Sequence, residues 1–206
     1  MIFITHVPGT RECVTPRFLK DADIRIATPG SLGSGKGLAP ALNSILRHCR
    51  EKGIKKFWIA DDDVLRLEYR GECPVCLQDV EWPADCALGS KTYPRHPGAP
   101  PAAEFEAGAS DQLNFYNLEL IPDDVWFRED MPVWEVLEFA CQLRGRGIRC
   151  YVSNSLACET GRNRTLISTL EYRRQRNANC ARLWPEQFAG GGIWSFNLGA
   201  KASNGN

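Results

Sequence analysis

The sequence predicts an α/β fold built on a mostly parallel sheet, and three observations carry that expectation. Residues 2–7, 24–28 and 57–60 are short apolar runs of strand length. They alternate with two segments that read as helical. In the second of these, Leu38, Leu42, Ile45, Leu46 and Cys49 recur at helical spacing and give one apolar face. A β-α-β-α-β series of this kind favours parallel strands joined by right-handed crossovers.

In chain order, residues 2–7 form the first strand, ending at the turn Pro8-Gly9. Residues 15–20 supply its helix, and residues 24–28 the second strand. A glycine-rich loop, Pro29 to Gly37, leads into the helix from Leu38, and residues 57–60 close the series. Residues 113–121 and 125–127 alternate as strands do. Pro132 and the acids before it start a helix over residues 133–144. Gly145-Arg146-Gly147 stops it, and residues 148–153 read as a strand.

Composition bounds the function classes. At 206 residues the chain is one domain, 1–206, with room for an inserted segment. Its formal net charge is zero, so any attraction to nucleic acid has to come from a local patch. No apolar run reaches the roughly 18 residues of a membrane span, and Met-Ile-Phe-Ile-Thr-His lacks a cationic leader, which predicts a cytoplasmic protein without a membrane partner. Nine cysteines, an odd number in that setting, favour thiols and metal binding over disulfides.

Asp61-Asp62-Asp63 stands at the carboxyl end of the strand at 57–60, the edge where open α/β sheets bind ligands. Adjacent carboxylates repel one another when partly desolvated, and hard oxygen donors suit Mg²⁺ or Mn²⁺ held jointly with phosphate oxygens. A solvated acidic turn is the plain alternative. Gly30 to Lys36 fits G-x-x-x-x-G-K and resembles the P-loop of adenylate-kinase-like enzymes, but Gly37 and Leu38 stand where a magnesium-binding hydroxyl belongs. Lys36 is a candidate diphosphate contact in either reading. Residues 70–108 interrupt the alternation as an inserted cysteine-containing segment. Within it, Cys73-Pro74-Val75-Cys76, with Cys86 and His96, is a candidate structural zinc set. Unligated cysteines in an irregular loop are the alternative. Glu129 and Asp130 are either helix caps or site acids.

A strand ending in Asp-x-Asp, an acidic pair at a later helix start, and Gly37-Leu38-Ala39-Pro40-Ala41-Leu42-Asn43 together resemble the GT-A class of glycosyltransferases. Leu42 replaces that motif's usual Arg. Within the class, the Ile2-Phe3-Ile4-Thr5 start, Asp-Asp-Asp-Val and a basic tail resemble the phage TET-associated glycosyltransferases, which modify hydroxymethylated bases in DNA. The resemblance spans roughly residues 1–155. It implies a GT-A, Rossmann-like sheet flanked by helices, and a hexosyltransferase using a nucleotide sugar, UDP-linked, in the host cytoplasm if phage-encoded. It implies Mn²⁺ or Mg²⁺ on Asp63 with Asp61. Thr5, Arg11, Lys36, Asn43, Asp61 and Asp62 would face the donor, and Asp130, with Glu129 second, would be the base. The class often supplies a C-terminal His to the metal; the histidines here are His6, His48 and His96.

The extension at 160–206 interleaves arginine with aromatic and amide residues. Arg162, Arg164, Arg173, Arg174 and Arg176 are candidate DNA contacts, against the alternative of a solvated helix face. The readings left open are a DNA glycosyltransferase, a GT-A enzyme or nucleotidyltransferase with a different acceptor, a zinc-containing DNA-binding module and a P-loop kinase.

Overall fold

Residues 1–9, 12–28, 38–92, 102–104, 112–130, 135–160, 178 and 182–184 are described in the computed structural model of the chain. Eight strands and two α-helices follow in the order β1 (Ile2–Thr5), β2 (Ile24–Ala27), α1 (Leu38–Glu51), β3 (Lys56–Asp61), β4 (Val64–Tyr69), β5 (Leu88–Thr92), β6 (Ala102–Glu104), β7 (Leu113–Asn117), α2 (Glu135–Gly145) and β8 (Cys150–Thr160). The first predicted helix is a single 3-10 turn, Thr15–Phe18, with Pro16 inside it. A second such turn spans Leu77–Asp79.

The strands form one sheet in the order β2-β1-β3-β7-β5-β8-β4, with β6 paired to β8. The expected α/β class holds, and the expected parallel series holds for its first half: β1 pairs in parallel with both β2 and β3. The sheet as a whole is mixed rather than mostly parallel. β7 runs against both β3 and β5, and β8 takes β4 and β6 antiparallel and β5 parallel. Apolar runs and period-2 alternation mark a strand but carry no direction, which is why the sequence does not announce the reversal. The tight turn at Asp62 and Asp63 also sends the chain straight into β4, a strand that neighbours β8 instead of β3.

Two layers of side chains cover the sheet. On one face, α1 and α2 pack Leu42, Ile45, Leu46, Val136, Phe139 and Leu143 against Phe3, Phe57, Ile59 and Tyr116. On the other, Ile2, Ile4, Trp58, Ala60 and Phe115 meet Val64, Leu67, Val75, Leu77 and Val80, which come from β4 and the segment after it. Both described helices therefore lie on one face of the sheet. Among the described residues no helix is long and apolar enough to cross a membrane.

The stretch expected as an insertion is in part structural. β5 lies inside the sheet between β7 and β8. Its sequence, Leu-Gly-Ser-Lys-Thr, has one large apolar residue and so gives no strand signal. Gly89 is the reason it fits: a Cβ there would stand 2.6 Å from Cζ2 of Trp82, whose indole lies over the strand and stacks on Phe115 with ring centroids 5.7 Å apart. Gly89→Ala is expected to displace Trp82 and lower stability by about 1–3 kcal/mol, the usual range for overpacking. A drop in the urea midpoint at unchanged slope is the measurement that checks it.

Candidate functional site

The strand order reverses beside β1, with β2 on one side and β3 on the other. A crevice outside the carboxyl ends of such strands is the usual ligand site of an open α/β sheet. β1 ends there in Thr5, followed by His6, and β3 in Asp61, followed by Asp62 in the turn. The register sets Thr5 beside Asp61. Because successive side chains of a strand point to opposite faces, the acidic triplet is divided by the pleat. Phe3 and Ile59 belong to the helix-side layer, and Ile2, Ile4 and Ala60 to the opposite one. Asp61 therefore shares its face with Thr5, whose Oγ1 donates to Asp61 Oδ1 at 3.5 Å and to the Ala60 carbonyl at 3.3 Å. Asp62 turns the other way and is buried, with Oδ2 2.6 Å from His6 Nδ1.

The backbone of the triplet is held as firmly as its side chains. Thr15 Oγ1 donates to the Asp61 carbonyl at 2.5 Å and accepts the Val64 N–H at 3.0 Å, so one hydroxyl bridges both ends of the turn. The Val14 N–H donates to the Asp62 carbonyl at 2.9 Å. Lys91, at the end of β5, is buried and donates from Nζ to the Cys158 carbonyl at 3.0 Å. Burial pulls the Lys91 ammonium below its ordinary value, while the nearby Cys158 thiol and Asp61 carboxylate act in the other direction. Burial pushes Cys158 up to about 11, with Lys91 opposing and Asp61 and Asp63 adding to the rise. Asp61, Asp63, Lys91 and Cys158 thus share one electrostatic neighbourhood. Lys91 was not singled out in the sequence because a lysine in a short polar strand looks like a solvated one.

Asn43 and the two acids before α2 form a second constellation. Asn43 is buried in α1; its Nδ2 donates to the Phe127 carbonyl at 2.9 Å and to Glu129 Oε1 at 3.0 Å, and its Oδ1 accepts the Phe127 N–H at 2.9 Å. The amide expected to face a sugar donor instead clamps the chain at 127–129 to α1. Arg50 does the same one step earlier, donating to the Pro122 and Val125 carbonyls and lying 4.2 Å over the Trp126 ring. These side chains take up the backbone groups that a strand over 125–127 would have paired, and no strand forms there. Asp130 is exposed and held by Arg128 through two hydrogen bonds, of 3.0 and 2.6 Å, which hold its pKa below the ordinary carboxylate range. A base so held accepts a proton poorly near neutral pH.

A cleft of about 360 Å³ adjoins Arg128, lined by Trp126, Glu138, Gln142 and Trp184 among others. Glu138 is fully buried and accepts from Gln142 Nε2 at 2.7 Å and Trp184 Nε1 at 3.2 Å. Trp184, one of the described residues of the basic extension, reaches α2 through this bond, and Arg182 helps hold the Asp130 pKa down. Burial raises the pKa of Glu138 above its ordinary value.

The proposed zinc ligands are dispersed. Cys73 is exposed, Cys76 lies 3.7 Å from Asp21 Oδ1, and Cys86 is buried in the apolar layer, where burial pushes its thiol well up. Among the described residues no group of three metal-ligating side chains is gathered, so Cys73, Cys76 and Cys86 do not fit a closed zinc site as they stand. Arg11, Lys36, His96, Arg162, Arg164, Arg173, Arg174 and Arg176 lie outside the described residues. No family model, no curated protein and no solved structure matches the chain.

Asn43→Ala is expected to leave the Phe127 N–H and carbonyl unsatisfied and to cost about 1–3 kcal/mol for each group that finds no water. Chemical denaturation checks it. Glu138 carries a pH signature: its pKa is higher in the folded state than in the unfolded one, so the folded state holds the proton more tightly. Its contribution to stability is complete at acid pH and is lost as pH rises through the folded value. Glu138→Gln should flatten that part of the stability profile, as read from melting temperatures between pH 4 and pH 8.

Proposed function

We propose that the chain is a nucleotide-sugar-dependent glycosyltransferase. The observation that carries this reading is the acidic triplet at the carboxyl end of β3, beside the strand-order reversal at β1, with Asp61 and Asp63 in one electrostatic neighbourhood. Two carboxylates at a sheet edge fit a divalent ion that takes its remaining oxygens from a diphosphate, because such ions need only one or two protein carboxylates. Asp63, with Asp61, would hold Mn²⁺ or Mg²⁺, which when bound neutralises charge on a leaving diphosphate.

The protein's own groups supply the rest. Thr5 and Thr15 fix the triplet's position, and Asn43 fixes the approach to α2 at Phe127 and Glu129. The acceptor we infer is a hydroxymethylated base in DNA, such as 5-hydroxymethylcytosine. Its support is the sequence resemblance, the arginine-rich extension whose residues 182–184 return to α2, and the cleft beside Arg128 with tryptophans on its wall. Indole faces stack on bases, and a base extruded from a duplex needs such a surface.

Incubation of the protein with a panel of nucleotide sugars, with Mn²⁺ and with oligonucleotides carrying 5-hydroxymethylcytosine, followed by mass spectrometry, tests both halves. The expected product is DNA heavier by one hexosyl residue. Asp63→Ala should reduce both transfer and donor hydrolysis by at least about a hundredfold while the protein still unfolds cooperatively. Donor hydrolysis without DNA modification moves the acceptor away from DNA; activity undiminished by excess chelator removes the metal.

A further inference from the structure

Asp62 is the member of the triplet that the fold buries, and its position is set by His6. The carboxylate side chain is 2% exposed and the imidazole 14%, with 2.6 Å between Oδ2 and Nδ1. The two residues are adjacent because β1 and β3 pair in parallel with Thr5 opposite Asp61, which brings the next residue of each strand side by side. A carboxylate accepts, so Nδ1 carries the hydrogen, and in the neutral ring Nε2 is the nitrogen with a lone pair for another group. The pair stands just past the carboxyl ends of β1 and β3, beside the reversal of strand order.

The two acids expected as bases are both committed elsewhere. Asp130 is held by Arg128 through two hydrogen bonds, and Glu129 receives a hydrogen bond from Asn43. A buried carboxylate that fixes the tautomer and orientation of an imidazole is, by contrast, the arrangement general-base catalysis uses.

We propose that His6 accepts the proton of the incoming hydroxyl, with Asp62 as its positioning residue. This rests on the glycosyltransferase reading. In the step, the acceptor oxygen forms a bond to the anomeric carbon, the bond from that carbon to the diphosphate oxygen breaks, and its electron pair leaves with the diphosphate. The hydroxyl proton passes to Nε2, and Asp62 stabilises the resulting imidazolium.

The test compares wild type, His6→Ala, His6→Gln and Asp62→Asn for transfer from UDP-sugars to an oligonucleotide containing 5-hydroxymethylcytosine. Transfer by His6→Ala is also measured with added imidazole, and UDP binding by calorimetry with Mn²⁺. His6→Ala should lose about 10²–10⁴ in transfer rate and bind UDP as wild type does. Added imidazole should restore part of the loss in His6→Ala and none in His6→Gln, where the amide fills the space. Asp62→Asn should lower kcat for transfer. Wild-type rates in either His6 variant, or a loss that imidazole leaves untouched, overturn the proposal and leave the glycosyltransferase reading standing. A wild-type protein that neither transfers nor hydrolyses any UDP-sugar overturns both.

Discussion

Everything near the candidate site depends on β3 being buried on both faces while its last residues emerge at the sheet edge. Phe57 and Ile59 pack under the helices, and Trp58 and Ala60 pack against the opposite layer. With β1 parallel on one side and β7 antiparallel on the other, the strand can neither slide nor rotate without moving its apolar residues to the wrong face. Three chemically identical side chains at its end therefore acquire three surroundings. Asp61 meets Thr5, Asp62 meets His6, and Asp63 lies in the turn toward β4.

The second organising constraint is the polar clamp from α1. Asn43 and Arg50 lie on a helix whose apolar face makes core contacts, and they satisfy backbone groups of the 122–127 segment. A buried amide that makes three hydrogen bonds is specific in a way an apolar residue is not, since any shift of the segment leaves donors and acceptors unmatched. The clamp fixes where Glu129 and Asp130 stand, and so determines that neither presents an uncommitted carboxylate.

Charge at the site is managed by partnership within the protein. Asp130 is paired with Arg128 and kept acidic, while Glu138 is surrounded by neutral donors and made less acidic by burial. Lys91 brings a buried cation into the neighbourhood of Asp61. These settings differ because desolvation favours the neutral form and a neighbouring opposite charge favours the ionised one. Two carboxylates near Arg128, Asp130 and Glu138, are thereby given opposite shifts in acidity.

The sequence by itself determined the α/β class, the first three sheet strands, α1 with its buried face, most of α2, and the acidic strand end as the place to look for chemistry. These are legible because they rest on local periodicity and on residue type at a strand terminus. It could not reveal β5, whose Gly and Lys are acceptable only because Trp82 covers one and the Cys158 carbonyl receives the other. Nor could it reveal the antiparallel course of β7, which depends on partners distant in sequence. The His6–Asp62 pair belongs to the same class: a histidine near the start of the chain and an aspartate at position 62 have no local relation. Only the parallel register of two strands, fixed by burial on both faces, brings them to hydrogen-bonding distance.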